Sequence, residues 1–289
     1  MKYIFLLNSF TIKEKINEVI KKVTLYANQN KIDYEIEVNS PTYDTEDIIR
    51  KYKKDDCLII VIGGDGVINR AVNEIVKTNL KLAVIPYGTG NDYYKTIKRD
   101  LSPGINKVDV VKINKKYFVN TACFGIDADI ANNKKTIKTK LIPKSQKYNA
   151  AIVYNYFKYK CKDFELEVNG KKIKDKFTTI AIANGSYYGG GFKIGPTSNI
   201  TDGVIEVYYA TYLSKPQIIP LILKIKNGTH EYDKHITKIE TKKVIIKSPC
   251  EVIANIDGEE LQDDKFVIEV LPNELEVFYD EDMVNYLSK

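Results

Sequence analysis

Two glycine-rich segments stand where a chain could hold phosphate groups. Gly63-Gly64-Asp65-Gly66 directly follows the apolar run Leu58-Ile59-Ile60-Val61-Ile62 and precedes a helical stretch. In such a turn no side chains block the backbone, so its N–H groups can approach phosphate oxygens, and a helix N-terminus favours their charge. Asp65 is then set beside a nucleotide. Taken alone, the tetrapeptide is equally an ordinary tight turn. The second segment, Pro86-Tyr87-Gly88-Thr89-Gly90-Asn91-Asp92, follows the run Leu82–Ile85 and offers flexible backbone, a hydroxyl, an amide and a carboxylate. Two such loops after adjacent strands make a phosphate crevice the better explanation. Neither is a GxxxxGK[ST] loop, which occurs nowhere in the chain.

The elements that must position these loops can be read from periodicity. Apolar β-rich runs alternate with helical stretches: Tyr3–Leu7 then 13–29, Tyr34–Val38 then 44–54, Cys57–Ile62 then 67–78, Leu82–Ile85 then 91–98. Strand–helix alternation predicts a parallel sheet with crossover helices, and the continuous apolar runs fit strands covered on both faces. In an open α/β sheet ligands bind beyond the carboxyl ends of strands, so loops 63–66 and 86–92 should face one crevice. After residue 117 the pattern becomes short strands separated by turns: Tyr117–Cys123, Phe164–Val168, Thr178–Ala183, Val204–Tyr209, Lys243–Lys247, Glu251–Ile256, Phe266–Val270 and Leu275–Tyr279. Asn169-Gly170 is a two-residue hairpin signal. Helices are expected near 147–160 and 215–227. The expectation is an open, mostly parallel, Rossmann-like α/β domain over 1–117, joined by the C-terminal segment 278–289, and an antiparallel β-sandwich over 118–277.

The motif order resembles the diacylglycerol kinase catalytic-domain family, which includes soluble bacterial lipid kinases and is related to sphingosine and ceramide kinases. GGDGVINRAVNEI followed by IPYGTGNDYYKTI is similar to that family's paired nucleotide-binding motifs. GGDG alone also occurs in phosphofructokinases and NAD kinases. Thr121–Ala128, then Ala183–Phe192, then Pro196 through Asp202-Gly203, then Asn255-Ile256-Asp257-Gly258-Glu259 follow the lipid-kinase order over nearly the whole chain.

The resemblance implies a kinase that uses ATP and Mg²⁺ to phosphorylate a lipid hydroxyl, with diacylglycerol the leading acceptor and phosphatidic acid the product. It places the nucleotide on Asn8, Gly63, Gly64, Asp65, Gly66, Gly88, Thr89, Gly90 and Asn91. Asp257 matches the family's proposed general base, although an Asp before Gly is also a common hairpin turn. Glu259, two residues on, lies on the same face as Asp257 if the backbone is extended. Asp65 and Asp92 complete an acidic cluster suited to Mg²⁺, which takes a few carboxylates with water and phosphate oxygens. Asp202 matches a loop that binds a second, structural Mg²⁺ in bacterial relatives. The three glycines of Tyr187–Phe192 suit a close backbone approach at the domain cleft.

The chain departs from the family pattern in three places. Asn8-Ser9-Phe10-Thr11-Ile12 replaces Asn-Pro-x-Ser-Gly and leaves Lys13 as a further phosphate candidate. Val67 and Arg70 replace a Thr and a Glu, and Thr201 replaces a first Asp before Asp202. Two other readings stay open: a soluble-metabolite kinase sharing GGDG, and a non-catalytic nucleotide or lipid sensor.

Composition narrows the partners. No segment reaches the roughly 18 uncharged apolar residues of a membrane span, and Met1–Leu7 is read as a first strand rather than a secretory leader. A cytoplasmic chain, peripheral at the inner membrane face, is expected. Four scattered cysteines, Cys57, Cys123, Cys161 and Cys250, form no CxxC pair and are expected to be reduced core residues. The net charge of +6 favours acidic partners. With three arginines against forty-one lysines, phosphate binding must lean on Lys and backbone N–H groups, which suits a phosphate binder and not a nucleic-acid reader.

Between Asn132 and Lys147 lie Lys134, Lys135, Lys138, Lys140, Lys144 and Lys147, with no acid. Each such charge contributes about 1 kcal/mol near an anionic leaflet if exposed. The following Tyr148–Tyr159 is read as a core helix in preference to an interfacial one. His230 and His235 are read as surface or hydrogen-bonded histidines. Family members often pair as homodimers, although no residue here specifies an interface.

Overall fold

The computed structural model describes residues 1–88, 90–126, 128–129, 159 and 161–288. Thr89, Asp127, the six lysines of 134–147 and all of 148–159 except Tyr159 therefore lie outside the described residues.

The first hundred residues form β1 (Lys2–Leu7), α1 (Ser9–Ile12), α2 (Ile16–Gln29), β2 (Tyr34–Val38), α3 (Thr45–Tyr52), β3 (Cys57–Gly63), α4 (Asp65–Ile75), β4 (Lys81–Pro86) and α5 (Asp92–Asp100). The strands run parallel in the order β2-β1-β3-β4. Every residue of β3 is buried, which is why its polarity does not alternate. Helix α4 begins at Asp65, inside the glycine motif and two residues before the expected 67, because Gly64 is extended and serves as its N-cap. The first turn of α4 thus consists of the motif itself.

The second half contains β5 (Gly104–Ile113), β6 (Lys116–Phe118), β7 (Thr121–Gly125), β8 (Lys162–Val168), β9 (Lys171–Ala183), β10 (Tyr187–Tyr188), β11 (Phe192–Lys193) and β12 (Ile205–Thr211). It continues with α6 (Lys215–Asn227), β13 (Thr237–Thr241), β14 (Lys243–Ile256), β15 (Glu259–Tyr279) and α7 (Glu281–Leu287). Here the pairing is antiparallel. Asn169 and Gly170 both take positive φ, 49° and 74°, as a tight two-residue hairpin requires.

The strands expected at 243–247 and 251–256 are one strand, β14, whose register against β15 shifts between Lys247 and Val252. Likewise 266–270 and 275–279 belong to β15, with a register shift against β5 between Leu271 and Leu275. Proline in each irregular stretch, Pro249 and Pro272, removes a ladder donor and mimics a strand end. Exposed Cys250 sits in the first of these stretches, so it is not the core residue expected, whereas Cys57 and Cys123 are buried.

β15 carries the ladder from one half to the other. It pairs with β14 and β5 and then meets β4 in parallel, with Val277 opposite Leu82. α7 buries Met283, Val284 and Leu287 in the same core as Phe5 and Leu7 of β1 and Val19 and Val23 of α2. The chain therefore ends packed on the nucleotide-loop half, and residues far apart in sequence are held at one junction.

Candidate functional site

The two glycine loops touch. Tyr87 N–H donates to the carbonyl of Gly63 at 2.9 Å. A Cβ on Gly88 would lie 3.5 Å from the Cα of Gly64. Asn8, at the end of β1, completes the edge: its N–H donates to the Ile62 carbonyl at 3.1 Å, and its side chain bonds Thr11 and Asn39. Asn8 thus braces the loop floor. A Cβ on Gly63 would come within 2.4 Å of the Val67 side chain, which gives Gly63 a packing role. At Gly64 the nearest atom to such a Cβ is 3.9 Å away, so its lack of a side chain is not explained by packing.

Asp65 opens α4, and its Oδ1 accepts the Tyr93 N–H at 3.0 Å, joining α4 to α5. Its Oδ2 is directed to Gly90, where a Cβ would stand 2.9 Å away. Glycine at 90 is therefore what allows this carboxylate to face the second loop. Burial, followed by the charge of Asp92, pushes the Asp65 carboxyl above its usual range. Asp92 itself is buried and engaged. Its Oδ1 accepts Lys95 Nζ at 2.9 Å, and its Oδ2 accepts the Gly190 N–H at 2.7 Å. The carboxylate expected at a metal is thus a strut between α5 and the triple-glycine turn of the second half. Asn91 takes a left-handed φ of 53° as the N-cap of α5, and its buried Oδ1 has no hydrogen-bond partner.

From the other half, Asp257 follows the end of β14 with φ 47°, and Gly258 comes next at 92°. This is the hairpin-turn conformation, so the alternation that would set Glu259 beside Asp257 does not operate there. Glu259 nevertheless reaches the first loop: its Oε1 lies where a Cβ on Gly66 would be 3.5 Å away. The Asp257 carboxylate collects N–H groups. Oδ1 accepts Thr121 N–H at 2.8 Å and Asn120 N–H at 3.1 Å. Oδ2 accepts Val119 N–H at 2.8 Å and Asn69 Nδ2 at 3.2 Å. Burial still dominates and pushes its pKa to about 6, with the Asp65 charge adding to the rise. The two carboxyls, far apart in sequence, therefore share one electrostatic environment.

Lys95 and Asn120 escaped the sequence reading. Lys95 lies against Gly191 and over the Tyr187 ring at 5.9 Å, a cation where α5 meets the β10–β11 turn. Its signal was its place one turn after Asp92 on α5. Asn120 accepts from Thr96 at 3.1 Å, donates to the Tyr187 carbonyl and gives its backbone N–H to Asp257. Nothing in its own surroundings along the chain marks it.

Asp202 stands apart from this cluster. Its Oδ1 accepts Val204 N–H at 3.1 Å, and its carboxyl is pushed up by burial and then by Asp109, Glu206 and Glu240. Buried Asp109 is bonded to the N–H groups of Gly203 and Asn273. Among the described residues no group of three or more His, Cys, Asp or Glu is gathered as a metal site. His230 is buried with Nε2 on the Ile194 carbonyl at 3.0 Å, and His235 bonds Asp233, so both are hydrogen-bonded side chains, as expected.

The donor set fits a nucleotide with Mg²⁺. Magnesium retains several waters and needs only one or two protein carboxylates beside phosphate oxygens. Asp65, whose Oδ2 faces Gly90, and Glu259, whose Oε1 lies beside Gly66, are carboxylates that could fill that need at the first loop. The unpartnered Asn91 oxygen and the open approach at Gly64 are features that a bound polar ligand would use. Among the described residues no helix is long and apolar enough to cross a membrane.

Comparison with known proteins finds two family models along the chain. Residues 2–117 match the family model described as the diacylglycerol kinase catalytic domain. Residues 120–279 match the one described as the YegS C-terminal NAD kinase beta sandwich-like domain. Proteins of Staphylococcus aureus strains MSSA476 and MW2, each named "Putative lipid kinase", are 26% identical over 244 residues, 79% of either chain. A Bacillus anthracis structure titled a "putative diacylglycerol kinase" superposes with TM-score 0.78 at 20% identity, covering 97% of this chain and 96% of that one. A second, titled as diacylglycerol kinase, gives 0.71 at 19% identity with 97% of each chain covered.

Proposed function

The chain belongs to the diacylglycerol kinase family of lipid kinases, and we propose that it transfers the γ-phosphate of ATP, with Mg²⁺, to the hydroxyl of a membrane lipid. Diacylglycerol, giving phosphatidic acid, is the leading acceptor. The observation that supports this reading is that Glu259 of one half lies against the first glycine loop, whose Asp65 faces the second loop, while Asp257 is bonded by Asn69 of the helix which that loop begins.

Phosphoryl transfer asks a protein mainly for positioning and for charge stabilisation. The N–H groups of Asp65 and Gly66 at the start of α4 and the glycine backbones of 64 and 88 would receive phosphate oxygens. Lys95 adds a cation on the α5 side. Asp65 and Glu259 would hold the metal, which when bound neutralises charge on the β- and γ-phosphates. Asp92, whose oxygens are engaged, fixes the spacing between the halves.

Asp257 is assigned the hydroxyl proton. With a pKa near 6 it is charged at neutral pH yet a stronger base than a solvent-exposed aspartate. Of its N–H donors, Asn69 bonds at 3.2 Å and shares its amide with the Tyr117 carbonyl. Oδ2 is accordingly the oxygen that can exchange a donor for a substrate hydroxyl. The chain carries out this reaction at a bilayer on the cytoplasmic side, as a peripheral protein.

The test is incubation with labelled ATP, Mg²⁺ and mixed micelles of candidate lipid alcohols, wild type beside Asp257→Ala. Label enters a lipid product with the wild type and falls by at least ~10²-fold in the variant. Label appearing only in a soluble acceptor supplied without lipid would overturn the lipid reading.

A further inference from the structure

Helix α6, KPQIIPLILKIKN, is apolar around most of its circumference, yet only one side of it is covered. Ile218, Leu221, Ile222 and Ile225 pack with Phe192 and Ile194 in a buried cluster. Ile219 and Leu223, one turn apart, remain 45% and 56% exposed. A helix apolar on every side is most stable with every side withdrawn from water, and an exposed apolar stripe with a polar rim marks a contact surface. Pro216, Pro220 and Tyr232, the last 85% exposed, edge a shallow hollow beside the stripe.

The rim is basic. α6 carries Lys215, Lys224 and Lys226 and no acid. Lys224 is paired with Asp233 at 2.7 Å, and Lys234 lines the same hollow. Aliphatic side chains flanked by lysines and an exposed tyrosine suit the boundary between anionic headgroups and acyl chains. A protein partner would have to supply both acids and a greasy groove.

α6 is also joined to the candidate active site. Its inner face packs on β11, whose hairpin gives the Gly190 N–H to Asp92 and sets Gly191 beside Lys95. We propose that the outer face of α6, centred on Ile219 and Leu223, docks on an anionic lipid bilayer. The inference rests on the lipid-kinase reading only for its purpose, because bilayer binding can be measured without turnover.

The experiment is sedimentation of the full chain with vesicles of phosphatidylcholine alone and of about 3:1 phosphatidylcholine to phosphatidylglycerol, without ATP. Wild type is compared with the double variant Ile219→Asp/Leu223→Asp, which alters only exposed positions. Thermal melting confirms that the variant is folded. Wild type is expected to partition onto the anionic vesicles at least ~10-fold more strongly than onto neutral ones, and the double variant to lose at least ~10-fold of that. Equal partition of the two proteins, or a wild type that stays in the supernatant, overturns the docking surface. So does a double variant that keeps vesicle binding but runs as a smaller species by light scattering, since that assigns the stripe to a second copy. Label transfer to micellar lipid, read in parallel, judges the kinase reading separately.

Discussion

Asn69 donates its amide to Asp257 at 3.2 Å, tying the helix that begins in the first glycine loop to the turn that closes the β14–β15 hairpin. Because Asp257 is pushed to about 6 by burial, two pH effects follow. As proton acceptor it must be charged, so turnover should fall below about pH 6, and Asp257→Asn should be low and flat across that range. Stability runs the other way. The folded-state pKa is raised, so this group's contribution is complete below 3.8, the unfolded value, and is lost as pH rises through about 6. The unfolding free energy of Asp257→Asn minus that of wild type should therefore rise between pH 4 and 7. A pH-independent difference in urea unfolding would show that the carboxyl is not held in that state.

Asp65 is raised by burial and by the charge of Asp92. Asp65→Asn removes that repulsion while its amide oxygen can still accept the Tyr93 N–H. Melting temperature at pH 7 is expected to stay level or rise, while turnover drops by at least ~10²-fold, as the metal-holding role proposed for this carboxylate requires. A variant that melts lower and turns over in proportion would mark Asp65 as a purely structural cap.

Lys95 is half-exposed, pairs with Asp92 and lies against the Gly191 turn. Lys95→Met should raise the KM for ATP on the order of ten-fold, the effect of removing the charge-assisted phosphate contact proposed for it, and Lys95→Arg should restore most of it. An unchanged KM with a lowered melting temperature would confine Lys95 to its ion pair.

Where polarity follows the period of one element, the sequence is a faithful guide. β3 and β4 appear within about a residue of their apolar runs, and α6 spans the expected 215–227. β5 is hard to read because Gly104–Ile113 mixes lysines and an aspartate into its pattern, and the fully buried Asp109 within it is bonded to Gly203 and Asn273, far along the chain. The site divides in the same way. The glycine loops announce themselves locally. That Asp92 is a strut, or that Asp257 collects the N–H groups of 119–121, depends on long-range contacts that leave no periodic trace.

Gly63 and Gly64 separate packing from binding within one motif. A Cβ at 63 would meet Val67 Cγ1 at 2.4 Å and Asn8 Cβ at 3.2 Å, in a strand with every residue buried. Gly63→Ala should destabilise by about 1–3 kcal/mol through overpacking. At 64 the φ is −108°, which any residue adopts, and the nearest atom to a Cβ is 3.9 Å away. Gly64→Ala should therefore leave urea unfolding within about 0.5 kcal/mol of wild type. If phosphate oxygens come down onto this backbone, the same methyl stands in their path. ATP affinity, by isothermal titration with Mg²⁺, should then weaken by ten-fold or more without loss of fold. Unaltered affinity in a stably folded Gly64→Ala would move the phosphates off the first glycine loop.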